Sequence, residues 1–291
     1  MFALMAKKLL ILLIIVLLGI STFGLFQALK SRTSSKPAKS QQKAVEVLLR
    51  FVEGWNIGQI ASYLDNDSTR QQLPHIVSVD DFILAQKQFP TKNYPLLSSK
   101  PEKADLEGFL FPDSYRFYQS ALNPASSTSA EISNTIIKKM LDNFSQKFTP
   151  EMEVQATKQK LSIYEIITLA SVIEKETGET LAEKKTVAGI FYSRLKIGMP
   201  LQSDATVNYA TKKDLPSPTE DDTKINSPYN TYKYPGLPIG PICNPSLNSI
   251  MAALYPEDSD YLYFLHDQKT GQAYYAKTYD EHLANKYKYL K

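Results

Sequence analysis

The chain has 291 residues, of which 43% are hydrophobic and 22% are charged, a composition typical of a folded protein. Its net charge is only +3 and no cluster of Lys and Arg occurs, which argues against nucleic-acid binding. The single cysteine, Cys243, excludes an intramolecular disulfide, and the three histidines lack metal-ligand spacing. We therefore expect no zinc site and no partner that is a nucleic acid.

The N-terminal segment from Leu9 to Leu29 contains 21 residues without a charge. As a helix it would be about 31 Å long, which matches the hydrocarbon core of a bilayer. A secretory signal has a shorter apolar run and a small-residue cleavage site, and neither is seen here. Residues 1–30 therefore predict a cytoplasmic tail and an uncleaved transmembrane anchor. Lysines flank the span on both sides, so the charges leave its orientation open.

Two regions follow the anchor before the chain becomes strongly helical. Residues 31–43 are polar and rich in Ser and Lys, which predicts a flexible linker. Residues 44–100 predict a small module, in which the segment 45–64 reads as a strand, a turn at Glu53-Gly54 and a short helix. Residues 101–291 are expected to form the main domain, beginning with a structured loop or short strand in LEGFLFPDSYRF.

The main domain carries two helix-start signals of the capping-box type, Ser162-Ile-Tyr-Glu165 and Thr180-Leu-Ala-Glu183. A run with helical spacing precedes them, and two apolar strands around the turn-forming segment DQKTGQ follow them. The predicted elements are helices at about 129–148, 162–177, 180–196, 246–254 and 279–290, and a hairpin of strands 261–265 and 273–277. This pattern predicts an α+β body that is mainly helical with short strands.

One glutamate of the first capped helix lies on its apolar face. At 100° per residue, Glu174 lies within about 20° of Ile163 and Ile167, whereas Glu165 and Glu176 lie opposite, where a solvated face is expected. A carboxylate on a buried face is unfavourable unless it is paired or protonated, and desolvation favours the protonated form that a general acid needs. Glu174 is therefore a candidate catalytic acid or the partner of a buried Lys or Arg.

Several blocks of the sequence, taken together and in this order, are specific to one family. They are LEGFLFPDSYRF (106–117), LASVIEKETGE (169–179), VAGIFYSRLKIGMPLQSDATVNYA (187–210), SPYNTYKYPGLPIGPICNPSLNSIMAAL (227–254) and YLYFL (261–265). Over residues 100–291 the chain resembles the endolytic murein transglycosylases, the YceG-like or MltG family.

That resemblance implies a protein anchored in the bacterial cytoplasmic membrane by a single span, with its catalytic domain outside the cytoplasm. The family cleaves the MurNAc–GlcNAc bond within nascent peptidoglycan strands, leaves 1,6-anhydro-MurNAc ends and so terminates glycan elongation. It uses no metal and no cofactor, and the first glutamate of its EKET-type block, here Glu174, is the catalytic acid/base. Peptidoglycan glycan strands are the implied partner, and peptidoglycan synthases are further candidate partners.

The chain departs from the family in its membrane-proximal module. Members carry a longer LysM-like module between anchor and catalytic domain, and here only residues 51–64 resemble its last part. The fold expectation is therefore a transmembrane helix, a small partial LysM-like α/β module and a mainly helical catalytic domain. Whether the shortened module binds glycan is left open.

Polar residues in the matching blocks are candidates for binding the substrate. They are Glu107, Gln202, Ser203, Asp204, Asn230 and Tyr232. A groove past Glu174, lined by residues 202–204 and 230–232, is expected. The structural alternatives are a helix cap for Ser203 and Asp204, an Asx turn for Asn230, an ion pair for Glu107 and simple packing for Tyr232.

Two other functions compete with the lyase. The first is a hydrolytic muramidase in which Asp204 or Glu107 activates water, since most glycosidases use two carboxylates. The second is a non-catalytic, glycan-binding scaffold of the wall-synthesis machinery. The products of cleavage distinguish the muramidase from the lyase, and the absence of any cleavage would favour the scaffold.

Overall fold

The computed structural model describes residues 45–66, 75–178, 180–213, 215–267 and 269–290. The predicted anchor at residues 9–29 and the predicted linker at 31–43 lie outside this part of the chain. Within the described residues, no helix has both the length and the apolar character needed to cross a membrane.

The described residues form nine α-helices and four short strands, a mixed and mainly helical fold that confirms the expected class. The strands are β1 (Glu46–Arg50), β2 (Ser114–Tyr118), β3 (Tyr263–His266) and β4 (Ala273–Ala276). The helices are α1 (Ile57–Asp65), α2 (Val79–Gln88), α3 (Ser129–Lys147), α4 (Pro150–Lys158), α5 (Ile163–Glu176), α6 (Leu181–Lys196), α7 (Asp204–Thr211), α8 (Leu247–Leu254) and α9 (Tyr279–Tyr289). The predicted helices and the predicted hairpin of β3 and β4 are all present.

The strand, turn and helix predicted within residues 45–64 are confirmed as β1, a turn and α1. Strand β1 pairs antiparallel with β2, from Glu46 opposite Tyr118 to Arg50 opposite Ser114. The predicted boundary at residue 100 lies between these strands, inside a compact unit that spans Val45–Lys291. The first described residues therefore share a sheet and a hydrophobic core with the rest of the unit.

Helix α5 is the central element of the core. Ser162 opens it, because its hydroxyl accepts from the amide of Glu165 while the Glu165 carboxylate accepts from the amide of Ser162. From Ile166 to Ile173 every residue of the helix is buried, and α5 packs against α6 and α8. The C-terminal end of the helix carries Glu174 and Glu176 on opposite sides.

Candidate active site

Glu174 lies in a groove with a volume of about 670 Å³. One wall comes from the end of β1, the turn that follows it and the residues around the start of β2. The other comes from the C-terminal end of α5 with the loop that follows it, from Lys184 of α6 and from the start of α8. The lining residues are Arg50, Phe51, Val52, Glu53, Pro112, Asp113, Ser114, Glu174, Thr177, Gly178, Lys184, Ser246 and Asn248. The groove is thus built from segments that are far apart in the sequence.

Four donors converge on a single oxygen of the Glu174 carboxylate. The Lys184 ammonium lies 3.1 Å from Oε2, the Ser246 amide 3.1 Å and the Ser246 hydroxyl 2.6 Å. The Ser249 hydroxyl donates to the same oxygen. None of the described residues donates a hydrogen bond to Oε1, so Oε1 is the oxygen that remains for a ligand in the groove.

Helix α8 supplies three of these four donors through its N-terminal turn. Ser246 is the N-cap, and its hydroxyl oxygen accepts from the amide of Ser249 at 3.3 Å. The N-terminus of a helix favours a negative charge because its first amides are unpaired and its dipole is positive there. Glu174 from α5 therefore acts as the anion at the start of α8, which fixes the carboxylate relative to the groove.

Helix α6 supplies the cation. Lys184 lies on the same helical face as Val187, Ala188 and Phe191, all of which are buried. Its side chain is 4% exposed and that of Glu174 is 10% exposed. The buried ion pair that the sequence left as an alternative for Glu174 is therefore formed, and it is formed inside the groove.

The turn between β1 and α1 packs directly against the catalytic candidate. Gly54 has a φ of +77°, and a Cβ at this position would lie 3.5 Å from Cγ of Glu174. The Gly54 amide donates to the carbonyl of Asn244 at 2.9 Å, and the Asn244 amide donates to the carbonyl of Trp55 at 2.8 Å. This two-bond link holds the turn against the chain that leads into α8, so the segment between β1 and α1 forms one wall of the groove.

The six predicted binding residues do not line this groove, so the lining expected from residues 202–204 and 230–232 is not what the structure shows. Three of them, Ser203, Asp204 and Tyr232, lie together near Glu176 on the other side of α5. The Ser203 hydroxyl donates to Oε1 of Glu176, and the Tyr232 hydroxyl donates to Asp204. They form a second cluster rather than a wall of the Glu174 groove.

Glu176 was expected on a solvated face, and that expectation is wrong. Burial raises the pKa of Glu176 and the negative charge of Asp204 adds to it, while hydrogen bonds from Ser203 and the amide of Ala205 act against the rise. The exposed position near the end of α5 is taken by Lys175 instead. Residues of α7 cover the side opposite Glu174.

Asn230 is buried and holds a loop together, whereas Gln202 is exposed. Asn230 is fully buried, and its amide nitrogen donates to the carbonyls of Thr223 and Ile225, both at 2.9 Å. Its side-chain oxygen accepts from the amide of Tyr232 at 3.0 Å, which confirms the Asx-turn alternative. Gln202 is exposed, with a φ of +50°.

Glu107 is 4% exposed and joins three elements. Its oxygens accept from the first amide of α1, Ile57, at 3.1 and 3.2 Å, from the Asn244 side chain at 3.2 Å and from the Tyr209 hydroxyl at 3.3 Å. Burial raises the pKa of Glu107 to about 8. No described Lys, Arg or His pairs with it, so the ion-pair alternative for Glu107 is wrong.

Sequence reasoning missed Lys184 and Ser249, and it placed Ser246 only at the start of a predicted helix. The signal for Lys184 was present, because its spacing to Val187, Ala188 and Phe191 places it on a buried stripe, as for Glu174. Two opposite charges on buried faces of consecutive helices predict an ion pair. Ser249 carried no such signal. Among the described residues, no group of three or more His, Cys, Asp or Glu could hold a metal ion.

Comparison with known proteins gives a consistent result over most of the chain. The YceG-like family matches residues 19–288. An endolytic murein transglycosylase of Bacillus subtilis (strain 168) is 37% identical over 245 residues, which cover 83% of this chain and 65% of the relative. One from Streptococcus pneumoniae serotype 2 (strain D39) is 34% identical over 285 residues, which cover 92% of this chain and 48% of the relative.

A solved structure agrees with these relatives. The crystal structure of a yceG-like protein from Listeria monocytogenes superposes with a TM-score of 0.68 at 35% identity, covering 81% of this chain and 75% of that one. The chain spans less than two thirds of the length of the two relatives from B. subtilis and S. pneumoniae. Because the family match covers most of its residues, the chain belongs to the YceG-like family.

Proposed function

We propose that this chain is an endolytic murein transglycosylase, a lyase that cleaves the MurNAc–GlcNAc bond within nascent peptidoglycan strands and leaves 1,6-anhydro-MurNAc ends. The observation that carries the proposal is Glu174, whose Oε2 is held by four donors in the groove while Oε1 has no donor among the described residues. The relatives named endolytic murein transglycosylase support the same activity. Cleavage of this kind would terminate glycan elongation.

The reaction requires one residue that acts first as an acid and then as a base. Glu174 donates its proton from Oε1 to the glycosidic oxygen, which leaves with the GlcNAc part of the strand. The N-acetyl group or an oxocarbenium-like state carries the developing positive charge on MurNAc. Glu174 then removes the proton from the C6 hydroxyl of the same sugar, and that oxygen closes the 1,6-anhydro ring. No water is consumed, because the intramolecular hydroxyl has a high effective concentration.

The lining of the groove suits a glycan. Ser114 and Asn248 offer neutral donors and acceptors, while Arg50 and Asp113 offer charged ones. Sugar hydroxyls, N-acetyl groups and the carboxylates of stem peptides match this mixture. The groove is lined mainly by polar groups, which supports a polysaccharide rather than a lipid as the ligand.

A hydrolytic muramidase is the second candidate, because two other carboxylates, Asp113 and Glu53, also line the groove. One of them could activate a water molecule opposite Glu174. The carboxylates first considered for that role, Asp204 and Glu107, do not line the groove. The muramidase proposal therefore depends on Asp113 or Glu53.

The test is mass spectrometry of the products that the chain releases from purified glycan strands. The lyase gives ends in 1,6-anhydro-MurNAc, lighter by one water than the products of hydrolysis. Reducing MurNAc ends from the pure protein would replace the lyase with the muramidase. Strand binding without any cleavage would instead favour the glycan-binding scaffold.

We further propose that residues 9–29 anchor the protein in the bacterial cytoplasmic membrane, with its body outside, near peptidoglycan synthases. The length and apolar character of this segment support a span. Release of the full-length protein from membranes by alkaline washing alone would contradict the anchor. We also propose that residues 51–64, which form the turn after β1 and most of α1, correspond to the last part of a LysM-like module. If substitution of exposed residues on α1 leaves glycan affinity unchanged, this segment does not bind glycan.

A further inference from the structure

We infer that Lys184 is a positioning residue that fixes Oε2 of Glu174 and directs proton transfer through Oε1. This inference rests on the proposed role of Glu174 as the acid/base. The Lys184 ammonium lies 3.1 Å from Oε2 and 2.8 Å from the Ser249 hydroxyl oxygen. Its side chain is 4% exposed, so it contributes a buried charge to the site rather than a surface charge.

The direction of each hydrogen bond follows from the chemistry of the donors. An ammonium group can only donate, so the Ser249 oxygen must accept from Lys184. The Ser249 proton is then free to point to Oε2 of Glu174. The Ser246 oxygen accepts from the Ser249 amide, which leaves the Ser246 proton for Oε2 as well. Lys184 therefore orders a set of hydroxyl groups that all donate to one oxygen.

This arrangement decides which oxygen of Glu174 carries a proton. A proton on Oε2 would displace one of four donors, whereas a proton on Oε1 displaces none from a described residue. The neutral acid therefore takes its proton on Oε1, because a hydroxyl group at Oε2 would cost hydrogen bonds that a bare oxygen keeps. Lys184 also places a positive charge 3.1 Å from Oε2.

Other ionisable groups also face Glu174. Arg50, Glu53 and Asp113 line the same groove, and Lys175 follows Glu174 on α5. The buried Cys243 thiol interacts electrostatically with both Glu174 and Lys184, and burial raises its pKa well above the usual value. Among the described residues, Lys184 is the cation that forms an ion pair with Glu174.

The test compares Lys184→Met, which keeps the length of the side chain but removes its charge, with Lys184→Arg, which keeps the charge. In Lys184→Met we expect kcat to fall about 10-fold to 100-fold with KM nearly unchanged. The alkaline limb of the pH–rate profile should move to higher pH, because the variant removes the opposite charge 3.1 Å from the Glu174 carboxylate. Lys184→Arg should restore most of the profile. Lys196→Met, an exposed position in the last turn of α6, is the matched control.

A second readout does not depend on activity. Isotope-edited infrared spectra, with Glu174→Gln as the reference, follow ionisation of the Glu174 carboxyl directly. Its midpoint should move to higher pH in Lys184→Met and not in Lys196→Met. If Lys184→Met does not fold, Ser249→Ala tests the same network. Because this variant removes one donor to Oε2, the infrared midpoint should move in the same direction by a smaller amount.

The outcomes separate the inference from the proposed function. A uniform loss of activity at every pH, with the infrared midpoint unchanged, would reduce Lys184 to a structural role and overturn the inference. A wild-type chain that releases no anhydro product would overturn the proposed function, and the infrared titration would still decide whether Lys184 controls the state of Glu174.

Discussion

The two sides of the C-terminal end of α5 present similar arrangements with different surroundings. Glu174 contacts Ser246, the N-cap of α8, and Glu176 contacts Ser203, the N-cap of α7. Each carboxylate therefore lies at the start of a short helix and accepts from a serine hydroxyl. A helix period of about 100° per residue turns the two side chains about 200° apart, so one helix end serves two sites.

The groups that contact the two glutamates differ in charge. Glu174 has the buried Lys184 ammonium at 3.1 Å. Burial raises the pKa of Glu176, the Asp204 carboxylate adds to the rise, and His266 acts against it more weakly. Glu174 also lines the groove and Glu176 does not. The comparison shows that residue type and a capping serine do not identify the acid/base. The acid/base is identified by its position in the groove and by the cation that contacts it.

The largest expected effect separates the two glutamates by activity. Glu174→Gln keeps the size of the side chain but removes the transferable proton, so the rate of anhydro-product formation should fall at or beyond the upper end of about 10²–10⁴-fold, because one residue serves both proton transfers. Glu176→Gln should change the rate by less than about 10-fold, since it leaves the groove intact. The rates are measured on purified glycan strands by chromatography of the released ends.

Folding is the control for both variants, and circular dichroism with thermal melting should show native-like structure in each. Glu174→Gln leaves the buried Lys184 ammonium without its ion-pair partner, so its melting temperature should fall, although the amide oxygen can still accept from Ser246 and Ser249. Equal losses of activity in the two variants would break the comparison. Near-normal activity in Glu174→Gln would remove Glu174 as the acid/base.

Local signals predicted the elements of the fold well. Capping serines and threonines, helical spacing and a turn-rich segment between apolar strands depend on residues within about one helical turn of each other. Strand β1 pairs with β2 across a long intervening segment, and nothing in either strand specifies that partner. For the same reason, the sequence did not predict that the turn at Gly54 packs against Glu174.

The site was predicted only in part. Glu174 was found from its position on an apolar stripe, and Lys184 lies on such a stripe as well. The polar residues chosen from the family blocks are mostly used inside the fold, as with the buried Asn230 and Glu107. A resemblance marks positions that matter, but it does not say whether a side chain faces a ligand or holds a loop.

The second prediction concerns pH and the two buried carboxyl groups with a raised pKa, Glu107 and Glu176. Burial raises the pKa of Glu107 from 4.5 to about 8, and burial also raises that of Glu176. Between pH 4.5 and about 8 the folded chain keeps a proton on Glu107 that the unfolded chain has released, so unfolding releases protons. Stability is therefore full below that window and falls as pH rises through it, by up to about 1.4 kcal/mol per pH unit for each group.

Urea denaturation between pH 5 and pH 8 measures this slope. Glu107→Gln should flatten it, because the amide stays neutral, accepts from Ile57 and can donate to the Tyr209 hydroxyl. Glu176→Gln should flatten it in the same direction. Glu102→Gln, at an exposed position, should leave the slope as it is. A slope in Glu107→Gln as steep as that of the wild type would show that Glu107 is ionised in the folded chain at these pH values.

The smallest expected effect compares the two capping serines directly. Ser246→Ala removes a hydrogen bond to Glu174 and the cap bond to the Ser249 amide, and the loss of such a cap costs about 1 kcal/mol. Ser203→Ala removes the bond to Glu176 but no side-chain cap bond, because Ser203 makes none, so it should cost a similar amount or slightly less. Thermal melting measures both.

The activities of the two variants should differ although their stabilities do not. Ser246→Ala should lose about 10-fold in kcat because Oε2 of Glu174 loses a donor, whereas Ser203→Ala should retain its activity. Equal activity losses at equal stability would mean that both clusters serve the reaction, and the distinction between the two sides of α5 would then be wrong.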